Sequence, residues 1–513
     1  MLLGELIQGL GIRPADAAHQ GVRICDITED SRTVMPGSLF IARPGLKSDG
    51  RAYIHQAIAA DAAAILTDPA TPPTPQAIAA GTAWLVTEDI PLAESWLAER
   101  FYGNPSRTLT MIGATGTNGK TTITYLIYEL LRAAGTPCGL IGTVTIDDGT
   151  PAQASMTTPP ALEISFTLAR MIESGYRACS MEVSSHSLDQ KRVAALDFDI
   201  AIFTNLTGDH LDYHGTMASY IAAKAKLFSA LRPDALAIVN ADDPAHADML
   251  RDCRARVIRC SLSPGTAAEC CASAGPMTLE GTPLTLEGPW GTIEGSVRLI
   301  GTYNVMNVLQ AVAAAHAAGA SRDDIALALH TLTAPPGRLE MVTRDPHTPE
   351  PFGVFVDYAH TDDALAKALT AVRPLADQTG GKLRVVFGCG GDRDRTKRPR
   401  MARAACTLAD LVYITSDNPR TESPSAIIRE IMSGVPDPGS PDVHIDADRR
   451  TAITRAINDA AAGDVVLIAG KGHEDYQLVS DGAGGIKRLD FDDRLVAREA
   501  LQERANRTEA AAT

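Results

Sequence analysis

No basic excess, no long apolar run and no metal-binding cysteine spacing occurs in this chain, and each absence argues against a class of function. The formal net charge is −15. That disfavours a general nucleic-acid or membrane-surface binder, and any anionic ligand must be met by local basic pockets. No apolar stretch is long enough to span a bilayer. The opening Met-Leu-Leu-Gly-Glu-Leu has neither a basic flank nor a cleavage pattern, so no targeting segment and a cytoplasmic location are expected. The nine cysteines fall in none of the usual zinc spacings, and Cys270-Cys271 has no second pair to complete one. Buried reduced thiols are expected instead. Extensive disorder also lacks support, since 45% hydrophobic and 21% charged residues make an ordinary globular balance. At 513 residues the chain exceeds one ordinary core, and about three domains are expected.

What is present is organised around Ala114-Thr-Gly-Thr-Asn-Gly-Lys-Thr-Thr122. It follows an apolar run at 109–112 and opens a helix-period segment at 122–134, so it reads as strand, glycine turn and helix. In that context backbone N–H groups face an anion, Lys120 reaches the outer phosphates and the Thr121 hydroxyl can hold Mg²⁺. Ala114 stands where the strict pattern has glycine. A small residue suffices there, and Gly116 and Gly119 supply the permissive backbone. ATP or GTP binding is expected.

The fold class expected is α/β in three domains. Residues 1–104 form a small N-terminal α/β domain with strands at 22–24, 37–42 and 62–66 and a surface loop at 69–75. Asp30-Ser-Arg32, Gly45 and Asp49-Gly-Arg51 read there as turn chemistry. Residues 105–337 form a central P-loop domain on a mainly parallel sheet, with strands at 109–112, 178–183, 198–203 and 235–239. Residues 338–513 form a Rossmann-like domain with strands at 354–356, 383–387, 411–415 and 464–468, and a frayed tail from Arg504. In such sheets the ligand sits at strand C-termini. Those exits carry Met181-Glu-Val-Ser-Ser-His186, Asn205-Leu-Thr-Gly-Asp-His-Leu-Asp-Tyr-His-Gly215, Asp357-Tyr-Ala-His360, Asp417-Asn-Pro-Arg420 and Gly470-Lys-Gly-His-Glu474. Glu182 is the best second Mg²⁺ ligand after Thr121. Lys224, read alone, is a solvated helix lysine, and Lys226 points to another helix face.

These strings, with Gly301-Thr-Tyr-Asn304 and Pro336-Gly-Arg-Leu-Glu340, follow one another over nearly the whole chain in an order that resembles the Mur ligase family. Its members are ATP-dependent amino-acid ligases of peptidoglycan precursor synthesis. The resemblance implies that a substrate carboxylate attacks the ATP γ-phosphate to give an acyl phosphate, and that the incoming amine then displaces phosphate. It assigns the chemistry to Lys120, Glu182, His210 and Lys224. Two Mg²⁺ ions are implied, one at Thr121 and Glu182, the other at Glu182, His210 and Lys224, the last as an N-carboxylated lysine formed with CO₂. ATP is implied to meet Gly116, Thr117, Asn118, Gly119, Lys120, Thr121 and Thr122, together with Asn304, Arg338, Asp357 and His360.

The same resemblance implies UDP-N-acetylmuramoyl-L-Ala-D-Glu at Ser31, Thr157, Thr158, Ser184, Gln190 and Arg192. The loop Gly45-Leu-Lys-Ser48 lacks the His-Gln pair of some relatives. It implies meso-diaminopimelate at Arg393, Asp417, Asn418, Pro419, Arg420, Gly470 and Glu474. Arg420 can pair bidentately with the second carboxylate of that amino acid, with Arg393 beside it, while Glu474 accepts the second ammonium. A lysine-adding relative would leave an arginine facing a cation. The alternatives are such a lysine-adding ligase, a folylpolyglutamate synthetase, and a nucleotide-binding relative without catalysis. Small-molecule substrates, no nucleic acid, no membrane insertion and a monomer are expected.

Overall fold

The computed structural model describes residues 1–45, 49–345 and 350–512, so Leu46, Lys47 and Ser48 of the Gly45 loop lie outside the described residues. The chain divides into two compact units, Met1–Cys270 with Gln310–Ser321, and Cys271–Leu309 with Arg322–Thr513.

The first unit holds two sheets. The N-terminal sheet runs Arg13–Pro14, Ala83–Val86, Ala64–Thr67, Ser38–Ile41, Asp26–Thr28, and all its pairings are parallel except the first. Ser38–Ile41 and Ala64–Thr67 are buried at every position, as expected of parallel strands covered on both faces. Leu39, Leu66 and Leu85 enter one apolar cluster, and Phe40, Ile65 and Trp84 the other. The pleat sends alternate residues to opposite sides. Residues 22–24 form no strand. Arg23 makes only an isolated bridge to Leu2, and the pairing falls to Asp26–Thr28. Buried Ile24 and Ile27 are what this stretch contributes to the core, and that requirement leaves the strand boundary free to shift.

The second sheet of this unit is parallel through Arg256–Ser261, Leu236–Asn240, Ile200–Phe203, Thr110–Thr115, Ala178–Glu182 and Cys138–Ile141, in that spatial order. Thr110–Thr115 comes first in sequence yet lies centrally, with later strands on both sides, which makes its C-terminal end a topological switch point. Each expected strand of this sheet is present within a few residues of its expected bounds.

The second unit contains a six-stranded sheet ordered Glu340–Met341, Gly353–Asp357, Val465–Ala469, Leu383–Phe387, Leu411–Ile414, Val443–Ile445, parallel except at its first pairing. Apolar clusters cover both of its faces. An antiparallel hairpin, Thr282–Gly288 with Gly291–Val297, also belongs to this unit. It departs from the parallel arrangement expected for 105–337. Its alternating burial suits a sheet with one solvated face.

The C-terminus departs from expectation as well. Asp493–Ala512 is a helix, not a frayed tail. Arg504 donates to the carbonyls of Ile457, Asn458 and Ala460 and lies over the Phe352 ring, so a long cation anchors what composition alone leaves loose. All nine cysteines are free thiols. Among the described residues no helix is long and apolar enough to cross a membrane.

Candidate functional site

The loop after Thr110–Thr115 is held from below by the neighbouring strand exit. Asn205 receives the Thr117 N–H on its carbonyl (2.8 Å) and the Asn118 N–H on Oδ1 (3.0 Å). Thr204 Oγ1 donates to the Asn118 carbonyl at 2.6 Å. Gly116 has φ 150°, and a Cβ there would lie 1.9 Å from Thr204 Oγ1, so only glycine fits. Helix Lys120–Ala133 begins directly after Gly119, itself at φ 88°. Its first-turn N–H groups and dipole make the loop an anion cradle. Lys120 Nζ rests 2.9 Å from the Gly116 and Thr117 carbonyls, at the mouth of that cradle.

Glu182, at the end of Ala178–Glu182, is 1% exposed. Its Oε2 accepts from Thr121 Oγ1 at 3.1 Å and its Oε1 from the Thr143 N–H at 2.6 Å. The pair is an oxygen donor set of the kind Mg²⁺ takes. Among the described residues no cluster of three or more His, Cys, Asp or Glu side chains could hold a metal.

Lys224 is 1% exposed on helix Met217–Ser229, against its reading as a solvated lysine. Its Nζ donates to the Gly116 carbonyl at 2.7 Å and lies 4.5 Å from the Tyr220 ring centre. Among the described residues it takes part in no ion pair. Burial, then nearby Lys120, drives its pKa well below the usual lysine range. Lys226, by contrast, is paired with Asp189 at 3.0 Å, so the two lysines do face differently.

Tyr220 joins these parts and was not singled out from sequence. It sits one turn before Lys224, its hydroxyl is 3.2 Å from Thr117 Oγ1, and its ring lies 6.2 Å from that of His210. The signal was available in the i, i+4 spacing of Tyr220 and Lys224. His210 adopts φ 53° and packs edge-on to His186 at 4.8 Å.

The residues expected at the muramoyl dipeptide form one hydrogen-bonded chain, except Ser31. Thr157 Oγ1 is 3.1 Å from Thr143 Oγ1, and Thr158 Oγ1 donates to the Glu182 carbonyl at 2.9 Å. Arg192 donates to the Thr158 carbonyl at 2.7 Å and to Gln190 Oε1 at 2.6 Å. Ser184 caps the short helix Ser185–Asp189 and donates its own N–H to Thr158 Oγ1 at 3.1 Å. Burial and then the charge of Arg43 pull Arg192 below the usual arginine range; Arg43 was missed. Ser31 bonds Gln56 at 3.0 Å, away from that chain.

Helix Ile90–Phe101 supports the Arg192 loop. Ser95 Oγ accepts the Ala195 N–H at 3.0 Å, and Lys191 pairs with Asp89. Glu94, the residue before Ser95, is buried against Arg43 at 3.4 Å. Burial, then Glu29, pushes its carboxyl up to about 7 from 4.5. A carboxyl raised on folding keeps its proton in the native state between those values, so stability falls as pH rises from about 4.5 to about 7. The effect is at most about 3 kcal/mol. Glu94→Gln is therefore expected to raise the melting temperature at pH 8 and leave it unchanged at pH 5. A variant less stable at pH 8 would contradict this.

In the second unit three of the quoted strings meet. Gly337 (φ 68°) approaches so closely that a Cβ would lie 2.1 Å from the His473 nitrogen. Arg338 stacks over the Tyr358 ring at 4.7 Å, with its Nε buried and unbonded. Asp357 accepts the Leu339 N–H at 2.7 Å and the Ala359 N–H at 2.9 Å, and burial raises its pKa despite Arg338. His360 Nδ1 lies 3.0 Å from the Tyr358 carbonyl. Asn304 spends its amide on the Ile300 carbonyl and Asn307.

At the exits of Leu383–Phe387 and Leu411–Ile414, a Cβ on Gly390 would meet Arg420 Nη1 at 3.0 Å and Arg393 Cγ at 3.8 Å. The two arginines therefore flank one spot. Arg420 donates to the Gly391 carbonyl at 2.8 Å and takes part in no ion pair among the described residues. Asp417 and Asn418 are buried, Asp417 beside Gly470, and Pro419 carries its carbonyl against Gly391. Asn418 Nδ2 donates to Glu474 Oε2 at 2.8 Å. Lys471, also missed, lies under this group.

Three family models match the chain: Mur ligase family, catalytic domain at residues 23–102; Mur ligase middle domain at 114–315; and Mur ligase, glutamate ligase domain at 337–472. The chain is 44% identical to a UDP-N-acetylmuramoyl-L-alanyl-D-glutamate–2,6-diaminopimelate ligase of Gloeobacter violaceus over 508 residues, 99% of both chains. It is 43% identical to a protein of the same name from Geobacillus thermodenitrificans, over 96% of this chain and 98% of that one. A solved structure bearing that name is 32% identical, with TM-score 0.71, and the match covers 98% of this chain and 99% of that one. Identity at this level from end to end, on the fold just described, makes this chain a member of the Mur ligase family.

Proposed function

We propose that this chain joins meso-2,6-diaminopimelate to the D-glutamyl carboxylate of UDP-N-acetylmuramoyl-L-alanyl-D-glutamate, converting ATP to ADP and phosphate, in peptidoglycan precursor synthesis. The observation that carries the amino-acid assignment is Arg420, which takes part in no ion pair among the described residues, set beside Arg393 and 3.5 Å from the carbonyl of Asn418, whose side-chain amide holds Glu474. Its complement is an amino-carboxylate, not a bare ammonium.

The reaction follows from the two sets of residues. The loop N–H groups and Lys120 hold the ATP phosphates. The dipeptide carboxylate attacks the γ-phosphorus, the bond to ADP breaks, and an acyl phosphate results. The amine of diaminopimelate then attacks the acyl carbon and phosphate leaves, with loss of the amine proton. The first step brings two anions together, so positive charge must be arranged in advance. Thr121 and Glu182, with His210 and a carbamate on Lys224, would hold Mg²⁺, which when bound neutralises charge between the carboxylate and the phosphates. The buried Lys224 amine, in no ion pair among the described residues, supports that carbamate: neutral nitrogen adds to CO₂, a proton leaves, and an anionic oxygen ligand forms. Arg192 and Gln190 orient the dipeptide, and Asn304, Arg338, Asp357 and His360 the nucleotide.

This reading carries with it functional segments 1–104, 105–337 and 338–513, a cytoplasmic location and a monomer. It is tested by phosphate release from ATP with the UDP-dipeptide and either meso-diaminopimelate or L-lysine. Release that requires meso-diaminopimelate is expected. Equal use of L-lysine would overturn the amino-acid assignment, and release indifferent to either would overturn the ligase.

A further inference from the structure

The second unit buries an ammonium that the proposed reaction does not use. Lys471 has no exposed side-chain surface. Its Nζ donates to Asn418 Oδ1 and Glu474 Oε2, each at 3.3 Å, and to the Tyr476 carbonyl, and it lies 3.9 Å from Asp417 Oδ1. Its side-chain partners are thus three residues of the diaminopimelate end. Stability alone gives no reason for it, because a buried ion set is often no more stable than well-packed apolar residues.

What the ammonium fixes is orientation and charge. Lys471 and the Leu478 N–H (2.9 Å) both donate to Asn418 Oδ1, so the amide has one orientation and Nδ2 must face Glu474. Glu474 Oε2 is then taken twice, by Asn418 and Lys471, and Oε1 accepts no hydrogen bond among the described residues. Asp417 Oδ1 is buried and likewise accepts no hydrogen bond among the described residues. Two acceptor oxygens are left for a ligand donor. Two carboxylates against one ammonium leave one negative charge uncompensated, and the Arg420 guanidinium reaches the carbonyl of the intervening Asn418 at 3.5 Å. Such a site fits one ammonium with a carboxylate attached to it.

We propose that Lys471 is a positioning residue for amino-acid selectivity: it locks Asn418 and Glu474 in place and cancels one of the two carboxylate charges, so that the site takes an amino-carboxylate in preference to a free alkylammonium. The inference rests on the diaminopimelate reading above. Without Lys471 the pair of carboxylates is free to swing and carries twice the net negative charge, which favours the side-chain ammonium of L-lysine.

The test is steady-state kinetics of Lys471→Met and Lys471→Gln with each substrate varied in turn, alongside melting temperatures. In Lys471→Met the KM for meso-diaminopimelate is expected to rise about 10-fold, with the preference over L-lysine falling by about as much. The KM values for ATP and the UDP-dipeptide should stay near wild type. Lys471→Gln, which keeps donors but not charge, should recover part of the KM and none of the preference. An unchanged KM for meso-diaminopimelate in both variants overturns the proposal. So does an equal rise in all three KM values, or failure of both variants to keep the wild-type melting temperature, since either marks a purely structural lysine. If the wild-type enzyme turns over no meso-diaminopimelate, the functional reading fails first and is distinguished from this one.

Discussion

Replacing Lys224 by methionine is expected to lower turnover by about 10²–10³-fold, the cost of removing one preorganised stabiliser of transition-state charge, while the melting temperature stays level or rises. The two halves of this result have one origin. The Lys224 nitrogen is buried over Tyr220, bonded among the described residues to the Gly116 carbonyl alone, and held well below its usual pKa. A cation there, without a carboxylate, is a burden on folding, and methionine fills similar space with no charge to desolvate. The same environment keeps the nitrogen neutral and nucleophilic, which is what carbamate formation requires. A lysine kept for stability would show the opposite pattern, with melting temperature falling and turnover intact. Turnover within a few-fold of wild type in Lys224→Met would remove the carbamate from the account.

Arg420→Ala is expected to lower kcat/KM for meso-diaminopimelate by about 10²–10³-fold, the range for leaving a buried charge without its partner. The KM for ATP should be nearly unchanged. Arg420→Lys should recover little, because a point charge cannot reproduce a planar bidentate fork. Use of L-lysine should not fall in parallel, since L-lysine has no second carboxylate to lose. Arg420 is held ready for this role: its N–H is tied to the Leu478 carbonyl and its backbone adopts φ 52°, which few side chains other than glycine and asparagine favour. A parallel loss for both amino acids would mean that Arg420 maintains the loop and does not read the substrate.

The phosphate loop was legible from sequence because its chemistry is local. A glycine turn between an apolar run and a periodic helix fixes Gly116, Gly119, Lys120 and Thr121 without reference to the rest of the chain. Glu182 was legible because a carboxylate at a strand exit has few structural uses. Lys224 was not: helix spacing alone puts a lysine in solvent, and only tertiary packing under Gly116 reverses that. Tyr220, Arg43 and Lys471 were hidden for the same reason, each acting through partners distant in sequence. The antiparallel hairpin Thr282–Gly288 with Gly291–Val297 was hidden because its strands alternate buried and open positions and offer no continuous apolar run. The final helix was hidden because the three carbonyls that hold Arg504 lie some 45 residues upstream.

Carboxylate activation by phosphoryl transfer is the centre of this account, and isotope transfer tests it most directly. The D-glutamyl side-chain carboxylate of the UDP-dipeptide is labelled with ¹⁸O, the enzyme is given ATP and meso-diaminopimelate, and the released phosphate is weighed. Attack of that carboxylate on the γ-phosphorus carries one labelled oxygen into each phosphate, and the account predicts this transfer in step with peptide formation. Unlabelled phosphate would mean that water, not the carboxylate, receives the phosphoryl group. Label in AMP would mean that activation occurs at the α-phosphorus. Either result would contradict the mechanism.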